Sequence, residues 1–506
     1  MSDDSRPVFA ILKNAVLCIF GGWLLASLFP NFDLSFLAFG ALLPFFYLLE
    51  DSPGWQRFVL PWSALLVFFL VLLYWIPRVL VVYGQLPWLL AILLYVTLGL
   101  ALALFYAPVV VCFIFARAIR PWCGYALFPF AWVTCDLLRN FWMVNGFPWG
   151  SLGYSQINYW WAQMADIGGI YLVTFLVVSV NALLAYAVLY RSVLIPACAV
   201  AALLMTSALY GLQKQKNRYF PSNLAVGIVQ PVIRFDLSRH DMEQKYLSEI
   251  PALIRKLAAQ GARLVVLPEA PVVFDYYRDR PFAELLGQLA VNEKITLIFN
   301  NTTASETGNY YNSMVFVRPD GSSAGRYDKI HLVPFGEYVP AARWLSFVRP
   351  LVQEVSNFSP GDQVLVADTG GVRVGGFICY EAIFPELVRS FVAEGAQILV
   401  NITDDAWYGR TAAAAQHFQM ARMRAIETRR YLVRAANSGI SAIVDPNGRV
   451  KRQLGIFQEG GILAGTRPLR EYTFYARHGN LFAQLCVLVF GGGLGAGRLY
   501  NRKLNR

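Results

Sequence analysis

Eight apolar runs long enough to cross a bilayer constrain this chain more than any other feature. They lie at about 8–29, 33–49, 58–76, 86–117, 121–139, 167–190, 193–211 and 480–498. Each is expected as a helix, because a spanning helix meets its backbone hydrogen bonds within itself. Composition agrees: 57% of residues are hydrophobic and 15% charged, against about 25% charged in soluble domains. The first run carries Lys13 early and then Gly21-Gly22, with no small-residue cleavage site and another run close behind. It is expected as a retained helix and not as a cleaved signal. Run 86–117 is overlong, which implies tilt or an extension past the membrane.

The formal net charge is +11. In a soluble chain that would suggest nucleic acid. Here much of the basic excess sits in short loops and at the tail, and no Lys/Arg-rich arm with interleaved aromatics occurs, so no nucleic-acid partner is expected. Eight spans put both ends on one side. The loops on that side hold Arg57, Arg117, Arg120 and Arg191, and the tails add Arg6, Lys13, Arg498, Arg502, Lys503 and Arg506. The opposite short loops hold little beyond Arg78 and Arg139. The asymmetry places both tails in the cytoplasm, and long domains translocate whatever their charge. The expected division is a transmembrane body of seven spans at 1–211, an external domain at 212–475, and an eighth span with a tail at 476–506.

Segment 212–479 reads as α/β. Strands are predicted at Leu224–Val229, Leu264–Leu267, Ile295–Phe299, Met314–Val317, Val372–Ile378, Ile398–Asn401, Tyr431–Ala435 and Ser441–Val444. Helices are predicted near 242–260, 282–292, 385–394 and 413–428, and Asp445-Pro-Asn-Gly448 signals a hairpin turn. Pattern alone implies a mixed sheet covered by helices.

Cys379 closes the apolar run Val372–Ile378 and is the only Cys between residues 213 and 475. The external domain therefore has no internal disulfide, and a lone thiol in an oxidising compartment is better explained as a nucleophile. Another apolar run ends in Pro268-Glu269, and Lys329 lies in Tyr327-Asp-Lys-Ile-His331. Glu269 can take the thiol proton. Lys329 can favour the thiolate and stabilise an oxyanion, with the N–H of Tyr380 as second donor. Singly, each residue has a plainer reading: a buried structural Cys, a strand-end carboxylate, a solvated lysine. A Cys-His site is the rival, since His331 and Lys329 would share a face of a strand, but no Asn or Asp is clearly placed to orient His331. The four histidines (His240, His331, His417, His478) lack metal-site spacing, so no metal and no cofactor are expected.

These three motifs, in this order, resemble the carbon–nitrogen hydrolase (nitrilase) superfamily from about Asn223 to Arg467. The resemblance implies a Glu269-Lys329-Cys379 triad in an α-β-β-α sandwich. It also implies supporting roles for Glu337 beside the triad, for Tyr380 and Glu381 of the Cys-Tyr-Glu run, and for Asn312. With the flanking spans, Gly146-Phe-Pro-Trp149-Gly, the run Phe335–Pro340 and the run Gln416–Arg424 included, nearly the whole chain resembles the apolipoprotein N-acyltransferase family. That likeness implies a bacterial inner-membrane enzyme with a periplasmic catalytic domain. Its acyl donor would be a phospholipid and its acceptor a diacylglyceryl-modified apolipoprotein, with a Cys thioester between them.

Several further expectations follow. The family commonly shows Asn-Asp-Ala-Trp-Phe-Gly where this chain has Asp404-Asp-Ala-Trp407-Tyr-Gly409, and Trp407 is expected to line the acyl pocket or to pack. Arg139 and Trp149 are expected either at a lipid headgroup or as interface markers. The apolar segment 341–358 reads as a packed helix or as a lid touching lipid. Two other classes stay open: a membrane-tethered hydrolase of small amides or nitriles, and a transporter with a degenerate domain. The transporter would need charges facing one another inside the spans, where only Asp136, Arg78 and Arg139 occur, at ends.

Overall fold

The computed structural model describes residues 5–142, 146–216, 222–271, 273–306, 308–334, 336–338 and 358–504. The chain forms two compact units, one of Met1–Arg78, Pro87–Gln213 and Asn480–Arg506, the other of Val79–Leu86 and Lys214–Gly479.

The first unit is helical. Trp88–Ile119, Trp160–Leu189 and Leu194–Lys216 are each long and apolar enough to cross a membrane. Gln56–Leu72 and Ile76–Val82, bent by 49°, make a fourth if counted as one span. Two expectations change. Run 33–49 is not one helix: a 3-10 turn at Ser35–Phe39 precedes a helix at Leu43–Asp51, with Gly40 between them and a proline in the helix's first turn. Nine residues rise about 14 Å, half the thickness of the hydrocarbon core. Within the single long run Trp88–Ile119, the helical pattern is interrupted at Phe105–Tyr106 between Trp88–Leu104 and Ala107–Ile119, with Pro108 in the first turn of the second piece. The count of eight spans stays a reading of the sequence.

One polar cluster of this unit forms around Glu50, at the end of the helix Leu43–Asp51. Glu50 pairs with Arg117 and accepts from Tyr125 Oη at 2.9 Å and Tyr190 Oη at 3.1 Å. Arg57 donates to the Glu50 carbonyl. These residues come from loops that the charge pattern assigns to one side.

Among the described residues the second unit carries twelve strands: β1 Leu224–Gln230, β2 Leu264–Val266, β3 Thr296–Ala304, β4 Tyr310–Val317, β5 Ser323–Asp328, β6 Val366–Asp368, β7 Arg373–Ile378, β8 Ile398–Thr403, β9 Leu432–Ala436, β10 Ser441–Val444, β11 Val450–Leu454 and β12 Gly460–Thr466. They form two six-stranded sheets, ordered β12-β1-β2-β3-β4-β5 and β11-β10-β9-β8-β7-β6. In each sheet three strands run parallel, β1-β2-β3 and β7-β8-β9, and the outer pairings are antiparallel. The expected hairpin joins β10 to β11, with Asp445 N–H donating to the Arg449 carbonyl at 2.8 Å and Gly448 at φ +79°.

The period-2 pattern builds the layers. On β4, Val315 and Val317 face a core shared with Ile250, Ile254 and Leu257 of the helix Ile250–Ala259 and with Leu286 and Leu289 of the helix Arg280–Glu293. Met314 and Phe316 face the other sheet, where a Cβ on Gly376 of β7 would collide with both. Its neighbour Gly375 faces outward, against Phe391 of the helix Pro385–Ala393 and Ala396. The Gly375-Gly376 pair thus lets β7 pack tightly on both faces. The result is the α-β-β-α sandwich, with parallel strands β2, β7 and β8 delivering their carboxyl ends to one place.

Candidate active site

Cys379 follows β7 with φ at +51°, in the left-handed region that a non-glycine residue enters at a cost of about 1–3 kcal/mol. Glu381 secures that turn. One oxygen accepts from Ile378 N–H at 2.7 Å; the other accepts from Tyr327 Oη at 2.7 Å, Ile330 N–H at 2.7 Å and His331 N–H at 3.1 Å. A single buried carboxylate therefore ties the Cys379 turn to the segment that carries Lys329. Burial pushes Glu381 up to about 7, opposed by the Ile378 N–H, the Tyr327 hydroxyl and the Lys329 charge. All four partners are donors, so they suit the ionised form. Glu381→Gln must turn an NH2 toward one of these donors. Its unfolding free energy is expected to fall by about 1–3 kcal/mol, read as a lower Tm of the purified protein; an unchanged Tm would contradict the tie.

Lys329 follows β5 and is 1% exposed. Its Nζ lies 2.9 Å from Glu337 Oε1 and 3.7 Å from Glu269 Oε1. Asn312 Nδ2 donates to both of those oxygens, at 2.9 and 2.7 Å. The Asn312 amide is itself oriented by Asn300 Nδ2, which donates to its Oδ1 at 2.8 Å. The second oxygen of Glu269 accepts from Asp404 N–H at 3.0 Å, and that of Glu337 from Val333 N–H at 2.8 Å. Burial alone would lower the ammonium's pKa. Glu337 first, and then Glu269, outweigh it and hold Lys329 above its ordinary value, so it stays charged.

The Cys379 thiol is pushed well above the usual range, by burial first and then by Glu269; Lys329 and a hydrogen bond with Thr403 act the other way. The resting group is therefore a thiol, not the thiolate that Lys329 alone would favour. Glu269 is the carboxylate coupled to that thiol.

Glu269, Lys329, Glu337 and Asn312 thus come together in direct contact, with Cys379 coupled to the first two. Tyr380 is buried, its ring edge-on to Phe384. His331 stacks on Phe384 at 4.2 Å and is held below its ordinary pKa by burial; its backbone, not its imidazole, meets Glu381. Trp407 packs against Tyr83 at 4.5 Å and Phe235 at 5.5 Å, and Tyr83 Oη donates to the Ala406 carbonyl at 2.7 Å. Residues 339–357, most of the segment read as a packed helix or a lid, lie outside the described residues.

Arg139 and Trp149 are not open to a headgroup. They are 0% and 2% exposed within the helical unit. The Arg139 guanidinium is spent on Asp136 at 3.2 Å, Ser151 Oγ at 3.1 Å and the Trp149 carbonyl. A charged residue at the end of an apolar run looks like an interface marker in sequence. Here it folds the Trp149–Ser151 turn back onto its own helix.

One buried cluster beside Cys379 was not singled out by sequence: Asp405, His417 and Arg434. Its signal was present, since His417 lies in the Gln416–Arg424 run and Asp405 in the Asp405-Ala-Trp407 run. Among the described residues, no group of three His, Cys, Asp or Glu is gathered as metal ligands are.

Comparison with known proteins matches both units. The carbon-nitrogen hydrolase family model covers residues 226–477, and the apolipoprotein N-acyltransferase N-terminal domain model covers residues 21–183. An apolipoprotein N-acyltransferase of Geobacter metallireducens is 35% identical over 97% of this chain and 96% of its own length. One from Azotobacter vinelandii is 31% identical over 95% and 94%. Among solved structures, an amidase from Nesterenkonia sp. AN1 aligns over 52% of this chain and 99% of its own, at 20% identity and a TM-score of 0.40. On the near full-length identity to these relatives, the chain belongs to the apolipoprotein N-acyltransferase family.

Proposed function

We propose that this chain N-acylates the α-amine of diacylglyceryl-cysteine at apolipoprotein N-termini, with a phospholipid as acyl donor and Cys379 as the carrier. The observation that carries the chemistry is a buried ammonium held between two carboxylates, Glu269 and Glu337, beside a buried thiol. Glu269 takes the Cys379 proton as Sγ attacks the ester carbonyl. The Lys329 ammonium and the Tyr380 N–H stabilise the oxyanion. The ester C–O bond breaks, the departing lysophospholipid oxygen takes the proton from Glu269, and a thioester remains. The lipoprotein amine then attacks, Glu269 accepts an amine proton, the C–S bond breaks, and Cys379 recovers its proton as the amide forms. Glu337 and Asn312 hold Lys329 and Glu269 in register.

An amine outcompetes water at a thioester when the site is dry, and Cys379 is almost wholly buried. Purified protein given phospholipid and a diacylglyceryl-cysteine peptide is expected to yield lysophospholipid and triacylated peptide in equal amounts. Release of free fatty acid with no peptide product would favour the membrane-tethered hydrolase instead.

The apolar helices make this a membrane protein. We place it in the bacterial inner membrane with 1–211 and 476–506 as the membrane-embedded parts and 212–475 in the periplasm. The clustering of Arg57 and Arg117 around Glu50 supports a common side for those loops. An export-dependent reporter fused near Gln260 is expected to be active; a reporter that works only in the cytoplasm would reverse the orientation.

A further inference from the structure

Cys379 has a buried neighbour that the triad does not use. His417 Nε2 lies 3.1 Å from the Cys379 carbonyl oxygen. Its Nδ1 lies 3.0 Å from Asp405 Oδ1 and 3.1 Å from Arg434 Nη2. A carbonyl oxygen only accepts, so Nε2 carries the hydrogen. Asp405 already takes Arg434 on both oxygens, at 2.8 and 3.1 Å, and the Thr403 hydroxyl at 3.2 Å. Burial, and then Arg434, hold the imidazole below its ordinary pKa against the pull of Asp405. A neutral ring then turns Nε2–H toward Cys379 and an accepting Nδ1 toward Arg434, while Asp405 Oδ1 takes its hydrogens from Arg434 and Thr403. Although Cys, His and Asp sit together, this ring is no base for the thiol, since its protonated nitrogen faces the main chain.

The C=O of Cys379 and the N–H of Tyr380 belong to one planar trans peptide and point in opposite directions. Holding the oxygen therefore aims the N–H. The need is real here, because Cys379 sits at φ +51°, a conformation that persists only where surrounding contacts hold it.

We infer that His417 is a positioning residue for acyl transfer. By donating Nε2–H to the Cys379 carbonyl, with Arg434 and Asp405 fixing its ring, it points the Tyr380 N–H at the oxyanion formed when Cys379 attacks an acyl ester. This rests on the reading of Cys379 as the acylated nucleophile. The same hydrogen bond polarises the peptide and makes its N–H a better donor.

The test uses full-length His417→Leu and His417→Gln. Leu removes the donor; the Gln amide can donate to the carbonyl and accept from Arg434. His417→Leu is expected to slow acyl-enzyme formation from phospholipid by roughly 10–100-fold, with KM little changed. His417→Gln is expected to restore most of the rate. Alkylation of Cys379 by iodoacetamide, which forms no oxyanion, is expected to be unchanged in both. If alkylation falls by the same factor as acylation, His417 merely holds the thiol and the inference is overturned. A full acylation rate in His417→Leu overturns it as well. Should the Leu chain fail to fold, His417→Asn, whose shorter amide cannot reach the carbonyl, makes the same comparison against Gln. Failure of the underlying assignment would look different: a Cys379→Ala chain would still transfer acyl groups.

Discussion

Cys379→Ala is expected to abolish acyl transfer while leaving the fold intact. The thiol lies at the carboxyl end of β7, and the turn is held by Glu381 through backbone N–H groups, so the side chain's loss touches no hydrogen bond of that carboxylate. Without a nucleophile no thioester forms, and removing the nucleophile of a comparable triad costs on the order of 10⁶ in rate. Cys379→Ser keeps the volume, but a hydroxyl is far harder to deprotonate than a thiol. Burial and Glu269 already push the thiol well above its ordinary range. Serine is therefore expected to be as inactive as alanine. Residual transfer above the uncatalysed level in either variant, measured as triacylated peptide, would assign the nucleophile elsewhere.

Lys329→Met is expected to have the next largest effect. The ammonium is the only buried cation held against both Glu269 and Glu337 among the described residues, and it is electrostatically coupled to the thiol. An oxyanion donor in comparable sites is worth about 2.7–4 kcal/mol, a loss of roughly 10²–10³ in rate. Methionine also leaves two carboxylates facing each other with only Asn312 between them. Lys329→Arg keeps the charge, but a planar fork does not fit a pocket built around one compact ammonium that is 1% exposed. It is expected to rescue little. His331→Gln is expected to cost far less, because that ring stacks on Phe384 and its bond to Glu381 runs through the backbone. Steady-state rates of the three variants decide the matter. A dead His331→Gln beside an active Lys329→Met would mean that a Cys-His mechanism operates.

The strands that sequence revealed and those it missed divide along a physical line. The eight runs read as strands correspond to β1–β4 and β7–β10, in the interiors of the sheets. The four that were missed, β5, β6, β11 and β12, are the four sheet edges. An edge strand has solvent on one side, so Val-Lys-Arg-Gln-Leu of β11 or the glycine-rich β12 carries no apolar run to read. Glu269 and Cys379 were legible because each closes an apolar run, whereas Lys329 follows the polar edge strand β5 and was legible only through its motif. Glu337 and Asn312 were legible only through family likeness, since nothing local says that one amide will bridge two carboxylates. Glu381 was given a supporting role by the same likeness, and only the fold shows that it accepts from the Tyr327 hydroxyl and from three backbone N–H groups. His417, Asp405 and Arg434 come from a helix, a loop and a strand that only the folded sandwich brings together. Arg139 misled for a related reason: the end of an apolar run says nothing of the turn that will cover it.

The proposed reaction rests on a thioester on Cys379 that precedes the amide. Its most direct measurement is mass spectrometry of the purified chain after exposure to phospholipid without acceptor, followed by digestion. The account predicts one added acyl group on the peptide that contains Cys379, discharged on addition of a diacylglyceryl-cysteine peptide as triacylated product appears. Acylation of another residue, or transfer to the peptide with Cys379 never acylated, would contradict it.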